Sequence, residues 1–300
     1  MNKKGGQFMK INNLFEDRKV VYSLEVFPPK PTSPIETVYN MLEDLKGVNP
    51  DFISVTYWAG GASSSNRTLE IASLIKHKYN VEPMAHLTCI DSSKEEIKEI
   101  LDRLKAEGIE NILALRGDGC EQDQSRIRDF SYASELIDFI KKNGDFNVVS
   151  ACYPEGHINC KNLLKDIEYL KNKQEVGATH FITQLFFDNE YFYEFLDKAE
   201  GKGITIPIQA GIMPVVNKKQ IERITGLCGA TIPKKFIKIM ERYEHDRIAL
   251  RDAGIAYASE QIIDLVSSGA RGIHLYSMNN PYVAKSITNS ISSILQSINN

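Results

Sequence analysis

Eight short runs of β-branched and aromatic residues, each followed by a segment with helical periodicity, constrain this chain more than any other feature. That alternation is what parallel strands joined by crossover helices require. The runs are Val20–Phe27, Asp51–Trp58, Glu82–Cys89, Asn111–Asp118, Asn147–Pro154, His180–Phe187, Thr205–Pro214 and Gly272–Asn279. Between them lie amphipathic stretches such as Ser93–Glu107, in which Ile97, Ile100, Leu101 and Leu104 share one face and the charges take the other. Only the seventh connection is long, with Asn217–Gly226, Lys234–Tyr243 and Asp246–Ser267 each reading as a helix. Periodicity alone also allows an open doubly wound sheet. Eight evenly spaced units favour closure, and the expectation is a single (β/α)8 TIM barrel with an elaborated segment between strands 7 and 8. Residues 1–19 then form an N-terminal extension and residues 20–300 the barrel domain.

Charge narrows the class of partner. The 36 Lys+Arg against 39 Asp+Glu leave a formal net charge of -3 and no general basic surface for nucleic acid or anionic membrane. Met1–Lys10 lacks the apolar core of a secretory signal, and no stretch approaches the ~20 apolar residues of a membrane span. A cytoplasmic protein with a small-molecule partner is expected. The five cysteines, Cys89, Cys120, Cys152, Cys160 and Cys228, show neither CxxC pairing nor a His-rich neighbourhood, which argues against a zinc or iron–sulfur site.

Polar residues gather toward the C-terminal ends of the predicted strands: Glu25, Thr56, His86, Thr88, Arg116, Asp118, Tyr153, Gln184 and Tyr276. In a barrel those ends point into one mouth. Any one of them alone reads as hydrogen-bonded scaffolding, and Asp118 after a strand also reads as a helix N-cap. Convergence from most of the strands predicts a site. No G-x-G-x-x-G follows any predicted strand, so no dinucleotide motif is visible.

The runs Leu24-Glu25-Val26-Phe27-Pro28-Pro29, Val55-Thr56-Tyr57, His86-Leu87-Thr88-Cys89, Ala114-Leu115-Arg116-Gly117-Asp118, Tyr153-Pro154-Glu155-Gly156-His157, Ile182-Thr183-Gln184-Leu185-Phe186-Phe187-Asp188 and Gly211-Ile212-Met213-Pro214-Val215 resemble the methylenetetrahydrofolate reductases, in that family's order and spacing. The resemblance implies a flavin, usually FAD, lying across the strand ends. NADH or NADPH would reduce it, and 5,10-methylenetetrahydrofolate would leave as 5-methyltetrahydrofolate, a step of one-carbon metabolism and methionine biosynthesis. Ping-pong kinetics follow, because nicotinamide and folate need the same flavin face in turn.

Carried over residue by residue, the resemblance makes Glu25 the general acid for ring opening, a role that desolvation beside Phe27 and two prolines favours. It makes Asp118 the electrostatic stabiliser and flavin tuner, and Gln184 the pterin ligand, with Gln220, Ile224 and Tyr276 also on the substrate. For the flavin it implies Thr56, Tyr57, Ala59, His86, Arg116, Gly117, Asp118, Tyr132, Ala133, Ala151, Tyr153, His157, Asp166 and Lys173. Relatives often carry Asn and Arg where this chain has Tyr169 and Asn172; loss of that cation makes FMN an alternative. Asn280 stands where many relatives carry an Arg suited to the substrate's glutamate tail, and Lys218 and Lys219 are either substitutes for it or a solvated helix start. A homo-oligomer is expected, without an appended regulatory domain. Two other readings stay open: a flavin-bearing subunit reduced through an electron-transfer partner, and a flavin-free barrel lyase, which would need a Schiff-base Lys or a metal cluster.

Overall fold

The computed structural model describes residues 10–29, 33–57, 62–118, 128–160 and 162–300. Its parallel strands follow one another around a closed barrel: β1 (Val21–Val26), β2 (Phe52–Val55), β3 (Glu82–Thr88), β4 (Asn111–Leu115), β5 (Asn147–Cys152), β6 (His180–Thr183), β7 (Ile208–Ile212) and β8 (Gly272–Leu275). Strand β8 pairs back onto β1 with Gly272 opposite Val21, so no sheet edge is left open and the doubly wound alternative falls.

The period of two sorts each strand into an outer and an inner face. Tyr22, Leu24 and Val26 join the apolar layer under the helices, while Val21 packs inside the barrel with Phe52, Met84, Leu113, Val149 and Ile182. Helix α1 (Leu14–Asp17) lies at the barrel's floor, and around the barrel run α2 (Glu36–Asp44), α3 (Ala62–His77), α4 (Lys94–Ala106), α5 (Ala133–Asn143), α6 (Leu163–Glu175), α7 (Asn189–Gly201), α8 (Lys218–Cys228), α9 (Lys234–Tyr243), α10 (Arg247–Ser267) and α11 (Pro281–Asn299). Helix α4 shows how local sequence sets a boundary. Ser93 Oγ accepts the Glu96 N–H at 3.1 Å and Glu96 Oε2 accepts the Ser93 N–H at 2.8 Å, a reciprocal cap whose serine is worth about 1 kcal/mol. Among the described residues no helix is long and apolar enough to cross a membrane.

The long seventh connection folds as α8, α9 and α10. Ile221, Phe236, Met240 and Leu250 of these helices meet Leu185, Phe187, Met213 and Val215 in a satellite core beside the mouth. At the opposite end, residues 10–19 do not trail away from the barrel. Ile11 and Phe15 fill its floor, the Ile11 N–H donates to Asn111 Oδ1 at 2.8 Å, and Arg271 donates to the Phe15 carbonyl.

Just above that floor His180 is fully buried, its ring 4.9 Å from that of Phe15 and 6.4 Å from that of Phe52. Neither ring nitrogen has a hydrogen-bond partner among the described residues. Burial, helped by His274, drives its pKa from 6.5 down to about 3, so the folded state holds it neutral. Because the folded value is depressed, the stability it allows is complete above pH 6.5 and is lost as pH falls toward 3. About 2 kcal/mol should be gone by pH 5. His180→Leu is therefore expected to lose about 2 kcal/mol less than wild type between pH 7.5 and 5 in urea unfolding. Equal losses in the two proteins would contradict this origin of acid lability.

Candidate active site

A cavity of about 780 Å³ opens at the C-terminal ends of the strands. Among the groups lining it is Glu25, next to last in β1 and only 6% exposed. Glu25 Oε2 lies 3.5 Å from His86 Nε2 on β3 and 3.6 Å from His274 Nε2 on β8. Burial drives the His86 imidazole down to about 4, the Glu25 carboxylate opposing this only in part. His86 is therefore neutral at pH 7, its contact with Glu25 is no ion pair, and its Nε2 has no hydrogen-bond partner among the described residues. Tyr276 closes the other side. Burial first, then the Glu25 carboxylate, hold its phenol far above its ordinary value, and its hydroxyl donates to the Thr183 carbonyl at 2.7 Å. A Cβ on Gly211 would lie 2.3 Å from that same carbonyl and 2.7 Å from the Tyr276 ring, so only glycine lets the ring cross here.

The strands end before several of the expected positions. Thr56, Arg116, Tyr153, Gln184 and Tyr276 occupy the first loop residues beyond β2, β4, β5, β6 and β8 rather than the strands themselves. They still face the cavity, as do Tyr57, Gly117, Asp118, Ala151, His157 and Ile224. Gly117 has φ +86°, and a Cβ there would approach Thr88 Cβ at 3.0 Å. Asp118 is exposed at the rim, and the next described helix starts only at Ala133, so Asp118 does not cap it. Gln184 accepts the Leu185 N–H on its Oε1 at 2.9 Å, leaving its amide NH2 without a partner among the described residues.

Other positions support the mouth without lining it. Asp166 on α6 accepts the His157 N–H at 3.0 Å, and Lys173 donates to the Ala151 carbonyl at 2.8 Å, burial lowering its pKa. His157 Nδ1 in turn accepts the Asn159 N–H at 3.1 Å, which puts the imidazole proton on Nε2 as a donor. Tyr132, 66% exposed, Ala133 and Gln220 also lie off the cavity wall, and Ala59 falls outside the described residues. Lys218 pairs with Glu244, and Asn280 caps α11 by accepting the Val283 N–H at 3.2 Å.

The expectations drawn from sequence omit Asn279. Its side chain accepts the Phe27 N–H and donates to the Phe27 carbonyl, both at 2.8 Å, tying the loop after Glu25 to the loop after β8. The local signal is weak, an Asn in left-handed conformation at φ 56°.

Comparison with known proteins agrees with this architecture. The family model described as methylenetetrahydrofolate reductase matches residues 10–292. The 5,10-methylenetetrahydrofolate reductase of Escherichia coli K12 is 32% identical over 269 residues, covering 90% of each chain. Methylenetetrahydrofolate reductase (NADH) 1 of Arabidopsis thaliana is 34% identical over 284 residues, 90% of this chain but 48% of the plant protein. The chain thus spans about half the length of the plant relatives it matches. Among solved structures, an uncharacterized protein from Clostridium thermocellum that binds two copies of 5-methyl-5,6,7,8-tetrahydrofolic acid superposes with a TM-score of 0.62. It shares 13% identity, and the match covers 96% of this chain and 99% of that one, a likeness of fold. With a matching family model over nearly its whole length and a closed barrel whose polar residues converge on one mouth, the chain belongs to the methylenetetrahydrofolate reductase family.

Proposed function

We propose that this chain reduces the methylene carbon of 5,10-methylenetetrahydrofolate to a methyl group, with a reduced nicotinamide as electron donor and FAD held across the strand ends. The observation that carries the reading is Glu25, a buried carboxyl between two imidazoles on the floor of the cavity, in a chain of this family. Ring opening breaks a carbon–nitrogen bond, its electron pair returns to nitrogen, and the departing amine needs a proton at that moment. Glu25 gives that proton. Asp118, a negative charge on the cavity wall, stabilises the cationic iminium left on the substrate. The unpartnered NH2 of Gln184 suits the carbonyl edge of a pterin.

The residues present fit a flat ring with polar edges. Gly117 brings backbone to the wall without a side chain, Leu113, Leu115, Ala151 and Ile182 give an apolar surface, and His86 Nε2 offers a buried polar atom with no partner among the described residues. Arg116, exposed at the rim, offers a guanidinium to phosphate. A flavin bound there would supply the hydride for the methylene carbon. Because nicotinamide and folate approach one cavity in turn, ping-pong kinetics are expected. No lysine lines the cavity among the described residues, so a Schiff-base lyase has no amine at the site.

Gly117→Val tests the cradle by binding rather than turnover. The left-handed φ of +86° makes any side chain strained, at about 1–3 kcal/mol, and the clash with Thr88 adds to it. FAD titrated into the purified variant, followed by quenching of its fluorescence, should bind at least tenfold more weakly than to wild type. Unchanged affinity in a folded variant would remove Gly117 from the flavin site.

A further inference from the structure

Below Glu25 a string of fully buried polar side chains crosses the barrel from β7 through β1 to β8. Gln209 Nε2 donates to Ser23 Oγ at 2.8 Å and to the Ile273 carbonyl at 2.9 Å. Ser23 Oγ lies 2.6 Å from His274 Nδ1. His274 Nε2 then lies 3.3 Å from Ser54 Oγ and 3.6 Å from Glu25 Oε2. Ser23, Ser54, Gln209 and His274 are each 0% exposed.

The direction of the protons follows from what each group can do. An amide NH2 only donates, so Ser23 Oγ accepts from Gln209 and must send its own proton elsewhere. Two acceptors are in reach: His274 Nδ1 at 2.6 Å, and the Ile273 carbonyl at 3.4 Å, which Gln209 already occupies. The shorter contact wins. In the arrangement that gives the Ser23 proton this shorter contact, Nδ1 accepts and the imidazole proton sits on Nε2, facing Ser54 and Glu25. Packing holds the ring in place, stacked on Phe52 with centroids 6.1 Å apart and edge-on to Tyr276 at 5.1 Å.

We propose that His274 is a positioning residue for Glu25: an imidazole whose tautomer is set by Ser23 and Gln209, its Nε2–H turned toward Ser54 Oγ at 3.3 Å and the Glu25 carboxyl at 3.6 Å, so that the protonated carboxyl stays aimed at the cavity. The proposal rests on Glu25 being the general acid. The proton that Glu25 gives goes to the departing amine nitrogen, and His274 keeps its own. His86 is the lesser candidate, because nothing described fixes which of its nitrogens carries the proton, whereas the Gln209–Ser23 string does so for His274.

Two measurements test it. In protein labelled with ¹⁵N-histidine, with His274 assigned by the signals missing from His274→Gln, Nε2 should give the protonated type of shift and Nδ1 the unprotonated type at pH 7.5. The reverse pattern would overturn the proposal. In FAD-loaded enzyme reduced beforehand, oxidation by methylenetetrahydrofolate should slow at least thirtyfold in His274→Leu, with folate affinity and the nicotinamide half-reaction within threefold of wild type. His274→Gln, whose amide nitrogen can take the place of Nε2–H, should recover most of the rate. Equal losses in the Leu and Gln variants, or a Leu variant as fast as wild type, would overturn the assignment. If the Leu variant does not fold, Ser23→Ala decides: a loss of fivefold or more in the same half-reaction supports the string, and an unchanged rate refutes it. Glu25→Gln is run alongside. If it too is unimpaired, the general-acid reading has failed; if it alone is impaired, only the role of His274 has.

Discussion

Replacing Glu25 with Gln is expected to leave FAD bound and reducible by NADH within about threefold of wild type, while slowing oxidation of the reduced enzyme by methylenetetrahydrofolate at least about a hundredfold. The first half follows from shape. Gln is close in size to Glu, and the pocket formed by His86, His274 and Tyr276 loses no volume. The second half follows from chemistry. A positioned acid contributes about 10²–10⁴ to a step that needs a proton in its transition state, and a carboxamide supplies none. At 6% exposure, little water reaches the carboxyl to replace it. Stopped-flow absorbance of the two half-reactions measures both quantities. Wild-type rates in both would exclude Glu25 as the acid.

Asp118→Asn is expected to raise the reduction potential of bound FAD and to slow the folate half-reaction, two consequences of removing one negative charge from the cavity wall. Reduction adds electrons that a nearby carboxylate repels, whereas ring opening creates a cation that it attracts. At ~4 Å a pair of charges is worth about 4 kcal/mol in surroundings of dielectric ~20 and about 1 kcal/mol in water. Asp118 is exposed, so the lower end governs until substrate displaces solvent. For a two-electron couple that range corresponds to a rise of about 20–90 mV. Potentiometric titration of the two proteins decides it. An unchanged or lowered potential would place Asp118 away from the flavin.

The barrel was legible because one repeating demand, a buried parallel strand followed by an amphipathic helix, recurs along the chain. The ends of the strands were less so. Backbone pairing runs on one residue past the strands proper, the Thr56 N–H donating to the Val26 carbonyl at 3.0 Å, the Gln184 N–H to the Cys152 carbonyl at 2.7 Å and the Arg116 carbonyl accepting the Cys89 N–H at 3.2 Å, which is why these three read as strand residues yet sit in loops. The seventh run misleads at its start instead. Pro207 has no N–H for the ladder, and the N–H groups of Thr205 and Ile206 are taken by Gln174 Oε1, so β7 begins at Ile208. Residues 10–19 look like a polar extension, because the two that matter, Ile11 and Phe15, are too few to form a pattern.

Within the site, the residues carried by contiguous motifs reach the cavity, and those carried by single positions on helices mostly do not. Glu25, His86, Gly117, Asp118 and Gln184 face it, whereas Asp166 and Lys173 brace β5 and its loop from behind. Ser23, Gln209 and His274 escaped notice for a physical reason. Each lies two residues from a recognised motif position or within an apolar run, and their hydrogen bonds join strands far apart in sequence. Applying the period of two inward from Glu25 and Tyr276 would have reached Ser23 and His274.

The central claim, that this cavity converts a folate methylene to a methyl group, is tested most directly by a single turnover without oxygen. FAD-loaded enzyme is reduced photochemically, so that the outcome does not depend on the electron donor, and mixed with one equivalent of 5,10-methylenetetrahydrofolate. Return of the oxidised flavin spectrum with one equivalent of 5-methyltetrahydrofolate, identified by mass, is the result predicted. A flavin that stays reduced while the folate is recovered unchanged would contradict it.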